Sequence, residues 1–256
     1  MKNEGSFDSY FSFDKSALRM MPARKQRSNK GDFGRVLCVC GSSGMSGAAY
    51  LCAKAAYRTG AGLVEIFTHE CNRIILQSSL PEAIVTTYTD DYDKNSLLCS
   101  LERADAVVVG CGLGVTPLSR TILSDILHAL EGKEIPLIID ADAINLLARN
   151  PSLTKYIRGS ILTPHFMEAS RLLTRPIEEL MSDTNSSACE IAQRYGCICV
   201  EPTELGTQIH ADPLGVIEKS GLGLTPNISV ITIFDRPINP IRSHIPGFTR
   251  RHIREE

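Results

Sequence analysis

The sequence predicts an α/β protein built on a mostly parallel central sheet with helices on both faces. Three observations carry that expectation. Short, continuous apolar runs alternate with helical stretches along most of the chain. The runs are rich in Val, Ile and Leu, as strands covered on both sides require. A glycine or acidic cluster closes one strand after another, at the ends where ligands sit in such sheets.

Residues 1–29 read as a loose N-terminal arm, with a short helix over 16–21 and a basic connector after it. The strand at 36–39 runs into Gly41, Gly44 and Gly47, which permit a tight turn with exposed N–H groups. The small residues of 48–58 then form a helix whose N-terminus suits an anion such as a phosphate. A strand at 64–68, a helical stretch at 71–79, a strand at 83–87 and a helix at 97–103 follow.

The strand at 104–109 ends in a second glycine turn, Gly110-Cys111-Gly112-Leu113-Gly114. Residues 118–130 have helical periodicity. The strand at 136–140 ends in Asp140-Ala141-Asp142, where Asp142 is expected to cap the helix over 143–149 and Asp140 is a candidate for a metal or ligand role. The strand at 160–162 runs into Thr163-Pro164-His165. Helices at 168–173 and 186–195 and a strand at 197–200 follow, then a hairpin joining 207–210 to 216–218. Four polar or glycine clusters thus fall at strand ends, which points to one active site. Residues 30–220 form this unit, and 221–256 an atypical tail with four prolines and no readable closing helix.

The length of 256 residues suits one large domain or two small ones. A net charge of −2 argues against a nucleic-acid surface. Nine cysteines lie mostly in apolar runs. The C-x-C pairs Cys38/Cys40 and Cys197/Cys199 are too close for a zinc knuckle, so buried reduced thiols in a cytoplasmic protein are expected. The first 30 residues carry no apolar signal segment, and no run approaches the roughly 18 apolar residues of a membrane span.

Five segments in matching order resemble one family. They are KGDFGRVLCVCGSSGMSGAAYLCAKAAYRTGAGLVEI, LPEAIV, ADAVVVGCGLG, PLIIDADAINLLA and ILTPHFMEASRLL. Together they resemble the ADP/ATP-dependent NAD(P)H-hydrate dehydratases of the ribokinase-like superfamily, which repair hydrated NADH and NADPH with a nucleoside phosphate. The resemblance implies a ribokinase-like fold, here with an incomplete C-terminal part, and a homo-oligomer. It implies that Ala48, Gly112, Gly114 and His165 contact the hydrated nucleotide. Glu168, in Thr163-Pro164-His165-x-x-Glu168, would organise Mg²⁺ and its waters. Thr203, Gly206 and Thr207 would hold the phosphates of ADP or ATP.

The chain departs from the family pattern in three places. The phosphate turn K-G-x-G-T reads Thr203-Glu204-Leu205-Gly206-Thr207. The T-P-H-P-G-E turn reads Thr163-Pro164-His165-Phe166-Met167-Glu168. The G-G-S-G-D loop, whose Asp deprotonates the substrate hydroxyl in the family, has no counterpart; the one Gly-Asp is Gly31-Asp32. The expected function is therefore nucleotide-dependent dehydration of NAD(P)H hydrate, impaired in this chain. A non-catalytic nucleotide-binding remnant is the alternative, and a small-molecule kinase ranks below both.

Overall fold

The computed structural model describes residues 10–12, 27–182, 184–203 and 206–211. The strands are β1 (Tyr10–Ser12), β2 (Arg35–Val39), β3 (Leu63–His69), β4 (Ile84–Tyr88), β5 (Ala106–Val109), β6 (Leu137–Ile139), β7 (Ile161–Leu162), β8 (Ile198–Thr203) and β9 (Gly206–Ala211). The helices are α1 (Ser46–Thr59), α2 (Arg73–Ser79), α3 (Lys94–Glu102), α4 (Pro117–Leu130), α5 (Asp142–Arg149), α6 (Phe166–Leu173), α7 (Ile177–Ser182) and α8 (Thr184–Tyr195). All strands join one sheet in the order β1-β9-β8-β7-β6-β5-β2-β3-β4. From β8 to β4 every pairing is parallel, while β9 and β1 add on antiparallel.

Period-two alternation sorts each strand between two cores. Leu37 and Val39 face one core, filled by α3, α4, α5, α6 and α8. Cys38 and Cys40 face the other, filled by α1 and α2. Helices therefore cover both faces, as the sequence predicts. Local chemistry fixes the helix ends. Thr116 caps α4 with its hydroxyl on the Ser119 N–H, and Pro117 follows at the first helical position. Gly60, at φ 113°, ends α1. No helix among the described residues is long and apolar enough to cross a membrane.

Strand order locates the site. From β2 the chain moves outward to β3 and β4, then returns to the other side of β2 and lays down β5 to β8. The switch point lies between β2 and β5, and ligands occupy the crevice outside the strand ends at such a point.

Three expectations need correction. The arm is not loose throughout, because residues 10–12 pair with β9 and cover an edge that would otherwise be open. The hairpin forms between β8 and β9, with Thr203 opposite Gly206, so residues 207–210 pair backward with β8. The partner expected at 216–218, the short helix expected at 16–21 and the 221–256 tail lie outside the described residues. Asp142 does not cap α5. Ala141 holds the N-cap position without a side-chain bond, and Asp142 is the first residue of the helix.

Candidate active site

The first glycine turn, over residues 41–47, is held from below. Thr68 Oγ1 donates to the Gly41 carbonyl at 2.7 Å. Asn72 Nδ2 donates to the carbonyls of Gly41 at 3.1 Å and Ser42 at 2.9 Å. Both side chains are buried. Fully satisfied buried polar groups of this kind fix one backbone geometry. Nothing in the sequence singles out Thr68 or Asn72, since their role depends on a turn some 30 residues away.

The second glycine turn, over residues 110–114, is bonded directly to the first. The Gly41 N–H donates to the Cys111 carbonyl at 3.0 Å, and the Ser42 N–H to the Gly112 carbonyl at 2.6 Å. Gly112 sits at φ 64°, and a Cβ there would lie 2.7 Å from the Cβ of Ala48. The first turn of α1 carries no acidic side chain, and Met45 at its N-cap makes no side-chain cap bond. An anion-compatible helix end thus borders the joined turns, where Ala48 and the Met45 side chain lie against Gly112.

Asp140 and Asp142 join this edge from β6. Asp142 Oδ2 accepts the Gly114 N–H at 2.8 Å, tying α5 to the second turn. Asp140 accepts from Thr163 Oγ1 at 2.6 Å and from the Cys111 thiol at 3.2 Å. Burial, reinforced by Cys111, pushes the half-buried Asp140 carboxyl up to about 8. Ala141 between them holds a positive φ of 49°, a strained conformation for a residue with a side chain. Beside the first turn, the exposed Cys71 thiol lies 3.1 Å from His69 Nδ1. The Gly44 N–H, His69 and Ser43 hold it below the ordinary thiol value.

Thr163 leads into α6, where His165 is the N-cap. His165 Nδ1 accepts from the N–H groups of Met167 and Glu168. Glu168 Oε2 accepts the His165 N–H at 3.1 Å, closing a reciprocal capping box. Its other oxygen lies 3.4 Å from His165 Nε2. One buried carboxylate with both oxygens engaged is a poor fit for direct Mg²⁺ ligation, since that ion demands a near-octahedral oxygen shell. Losing the box in Glu168→Ala should cost about 1 kcal/mol, whereas Glu168→Gln, which preserves the reciprocal bond, should be close to neutral. Thermal unfolding of the two variants checks this, and equal losses would remove the capping assignment.

The structure therefore brings Ala48, Gly112 and Gly114 together at the switch point. His165 and Glu168 stand two strands along the rim, after β7. Thr203, Gly206 and Thr207 lie at the closed end of the β8–β9 hairpin. Cys199 is the last β8 residue paired with β7, so β8 runs four residues past that pairing, to Thr203. At about 3.3 Å per residue the hairpin rises roughly 13 Å above the rim.

Comparison with known proteins gives a consistent answer. Residues 36–224 match the family model described as NAD(P)H-hydrate dehydratase. The bifunctional NAD(P)H-hydrate repair enzyme of Escherichia coli is 38% identical over 203 residues, covering 78% of this chain and 37% of that protein. The ADP-dependent (S)-NAD(P)H-hydrate dehydratase of Staphylococcus aureus is 35% identical over 170 residues, covering 66% of this chain and 60% of that one. The chain thus spans well under half of the bifunctional relative. A ribokinase-like superfamily protein from Enterococcus faecalis superposes with a TM-score of 0.66 at 28% identity, over 78% of this chain and 68% of that chain. The ADP/ATP-dependent NAD(P)H-hydrate dehydratase of Bacillus subtilis, co-crystallised with ATP and Mg²⁺, superposes at 0.58 and 28% identity, over 73% of this chain and 64% of that one. With its ribokinase-like sheet and a match across most of its length, the chain belongs to the NAD(P)H-hydrate dehydratase family.

Proposed function

We propose that this chain binds hydrated NADH or NADPH at the switch point and dehydrates it with a nucleoside phosphate, at a low rate. The observation that carries the reading is the direct bonding of the two glycine turns. It places Ala48 and the Met45 side chain against Gly112 and brings the backbone of both turns to the same edge. Ala48, Gly112 and Gly114 bind the hydrated ring and its phosphates, and His165 donates or accepts a hydrogen bond farther along the rim. The β8–β9 hairpin end at Thr203, Gly206 and Thr207 receives the phosphates of ADP or ATP. Mg²⁺ arrives on those phosphates and its own waters, with Glu168 outside its first coordination sphere.

The chemistry follows from the poor leaving ability of hydroxide. The hydrate's hydroxyl oxygen attacks the terminal phosphorus of ADP, and AMP leaves. The attack forms an O–P bond while the hydroxyl proton passes to solvent or a base. The hydrate's own C–O bond then breaks with loss of phosphate, and loss of a ring proton restores the dihydronicotinamide. A positioned base contributes about 10²–10⁴-fold to such a step. The chain lacks the G-G-S-G-D loop that bears the family's Asp, so turnover should fall by at least that factor. The cytoplasmic setting in this reading is supported by nine cysteines, six of them buried, with no disulfide among the described residues. A homo-oligomer is part of the same reading.

A second reading, a binding protein without turnover, is favoured by Thr203-Glu204 where the family has Lys-Gly. A glutamate beside phosphates repels them. One experiment separates the two. Purified protein is mixed with hydrated NADH, ADP or ATP, and Mg²⁺. Recovery of NADH absorbance and binding by calorimetry are both measured. Slow recovery supports the enzyme. Binding without recovery selects the second reading, and binding of neither the hydrate nor ADP or ATP rejects both.

A further inference from the structure

Beneath the joined glycine turns lies a cluster that the proposed reaction does not use. Cys40 follows β2, Cys111 lies within the second turn, and Cys52 faces them from α1. Their sulfurs all lie within 4.8 Å of one another. Cys40 is fully buried, and Cys52 and Cys111 expose 4% and 6% of their surface. In a trigonal site, metal–sulfur bonds of about 2.3 Å set sulfur–sulfur spacings of about 4 Å, so small rotations would close this triad on one ion. Without an ion, the Cys40 thiol is raised by Cys111, Cys52 and burial, Cys52 by Cys38 and burial, and Cys111 by Cys52 and burial, although the contacts of Cys52 with Cys111 and of Cys111 with Cys40 act the other way. A bound cation reverses that balance by displacing the protons.

We propose that Cys40, Cys52 and Cys111 form a three-thiolate site for a single Cu⁺ ion. The donor set chooses the ion. Three soft sulfurs suit a soft monovalent cation, whereas Zn²⁺ in closed sites takes four ligands. The one carboxylate at the edge, Asp140, touches Cys111 but does not belong to the mutually close set. Asp140 is half-buried at the candidate active site, so the crevice itself is the way in. On binding, each thiol gives up its proton to solvent and no oxidation occurs. An ion here would pin the residues next to Gly41 and Gly112 and so stiffen the wall of the crevice.

The test is an anaerobic Cu⁺ titration of the full chain against a competing Cu⁺ chelator. It includes a background variant lacking the exposed thiols, Cys71→Ser with Cys99→Ser. The expected result is one tightly held Cu⁺ in the background variant, with proton release and a raised unfolding temperature. Cys52→Ala added to that background should weaken binding by at least about 100-fold, because losing even an outer-sphere partner costs 10–100-fold. Cys40→Ala is made in parallel, and circular dichroism confirms that each tested variant is folded. Undiminished binding in the folded Cys52→Ala or Cys40→Ala variant overturns the proposal. So does absence of Cu⁺ binding by the background variant, retention of Zn²⁺ in preference to Cu⁺, or a disulfide between any two of the three.

Discussion

Replacing Gly110 by alanine should destabilise the protein by at least about 3 kcal/mol and disrupt the candidate site. Gly110 holds φ at 125°, where a side chain is strained wherever it points. A Cβ there would lie 1.9 Å from the Asp140 carbonyl oxygen and 2.8 Å from the Cβ of Ala143. Both obstacles belong to the β6–α5 junction; the Asp140 carbonyl is backbone and the Ala143 Cβ is fixed to it, so neither can swing aside. Backbone strain and forced repacking each cost about 1–3 kcal/mol, and here they coincide. The same substitution at Gly47 is the control. That residue lies in α1 with nothing within 4 Å of a new Cβ. Gly47→Ala should be neutral or stabilise by up to about 1 kcal/mol. Urea unfolding of both variants decides the matter. A loss below about 1 kcal/mol for Gly110→Ala would mean the junction yields, and the two turns are not rigidly coupled.

Arg103→Met should cost about 2–4 kcal/mol, although Arg103 is half exposed. Glu65, on β3, is 1% exposed. Its Oε1 accepts from Thr86 Oγ1 at 2.8 Å, Ser100 Oγ at 2.7 Å and Arg103 Nη2 at 3.2 Å. Its Oε2 has no hydrogen-bond partner among the described residues. Removing the guanidinium strands a buried carboxylate, a defect that typically costs 3–5 kcal/mol. Solvent at the arginine end reduces the figure. Replacing both groups, as in Glu65→Met with Arg103→Met, should recover most of the loss, because an apolar pair carries no desolvation penalty. A double-mutant cycle in urea measures the coupling. Near-zero coupling would show that the hydroxyls of Thr86 and Ser100 satisfy Glu65 without the arginine.

Much of this molecule was legible in the chain because its signals are local. The apolar run before Gly41, the glycine turn after the strand at 104–109 and the helical period of 118–130 each state their structure within a few residues. The five family-like segments identified the fold without any contact being known. Asp142 stands before an apolar helix as a cap would, yet its carboxylate finds the Gly114 N–H, 28 residues away in sequence. The pairing of β9 with β8 is not announced locally, because Glu204-Leu205 between them carries no Asn-Gly or Asp-Gly signal. Helix α7 was missed because six residues are too few for a periodic pattern.

By itself the sequence determined the α/β class, the order of most elements and the family. These are written in runs of neighbouring residues, where propensity, period and turn chemistry act. The tertiary structure alone decided which ends meet. It bonded Gly41 to Cys111 and Ser42 to Gly112, and set Ala48 against Gly112. It turned Glu168 back onto His165 and gathered Cys40, Cys52 and Cys111 under the crevice. Those contacts join residues far apart in the chain. They exist because parallel strands must be laid side by side, with their carboxyl ends on one rim.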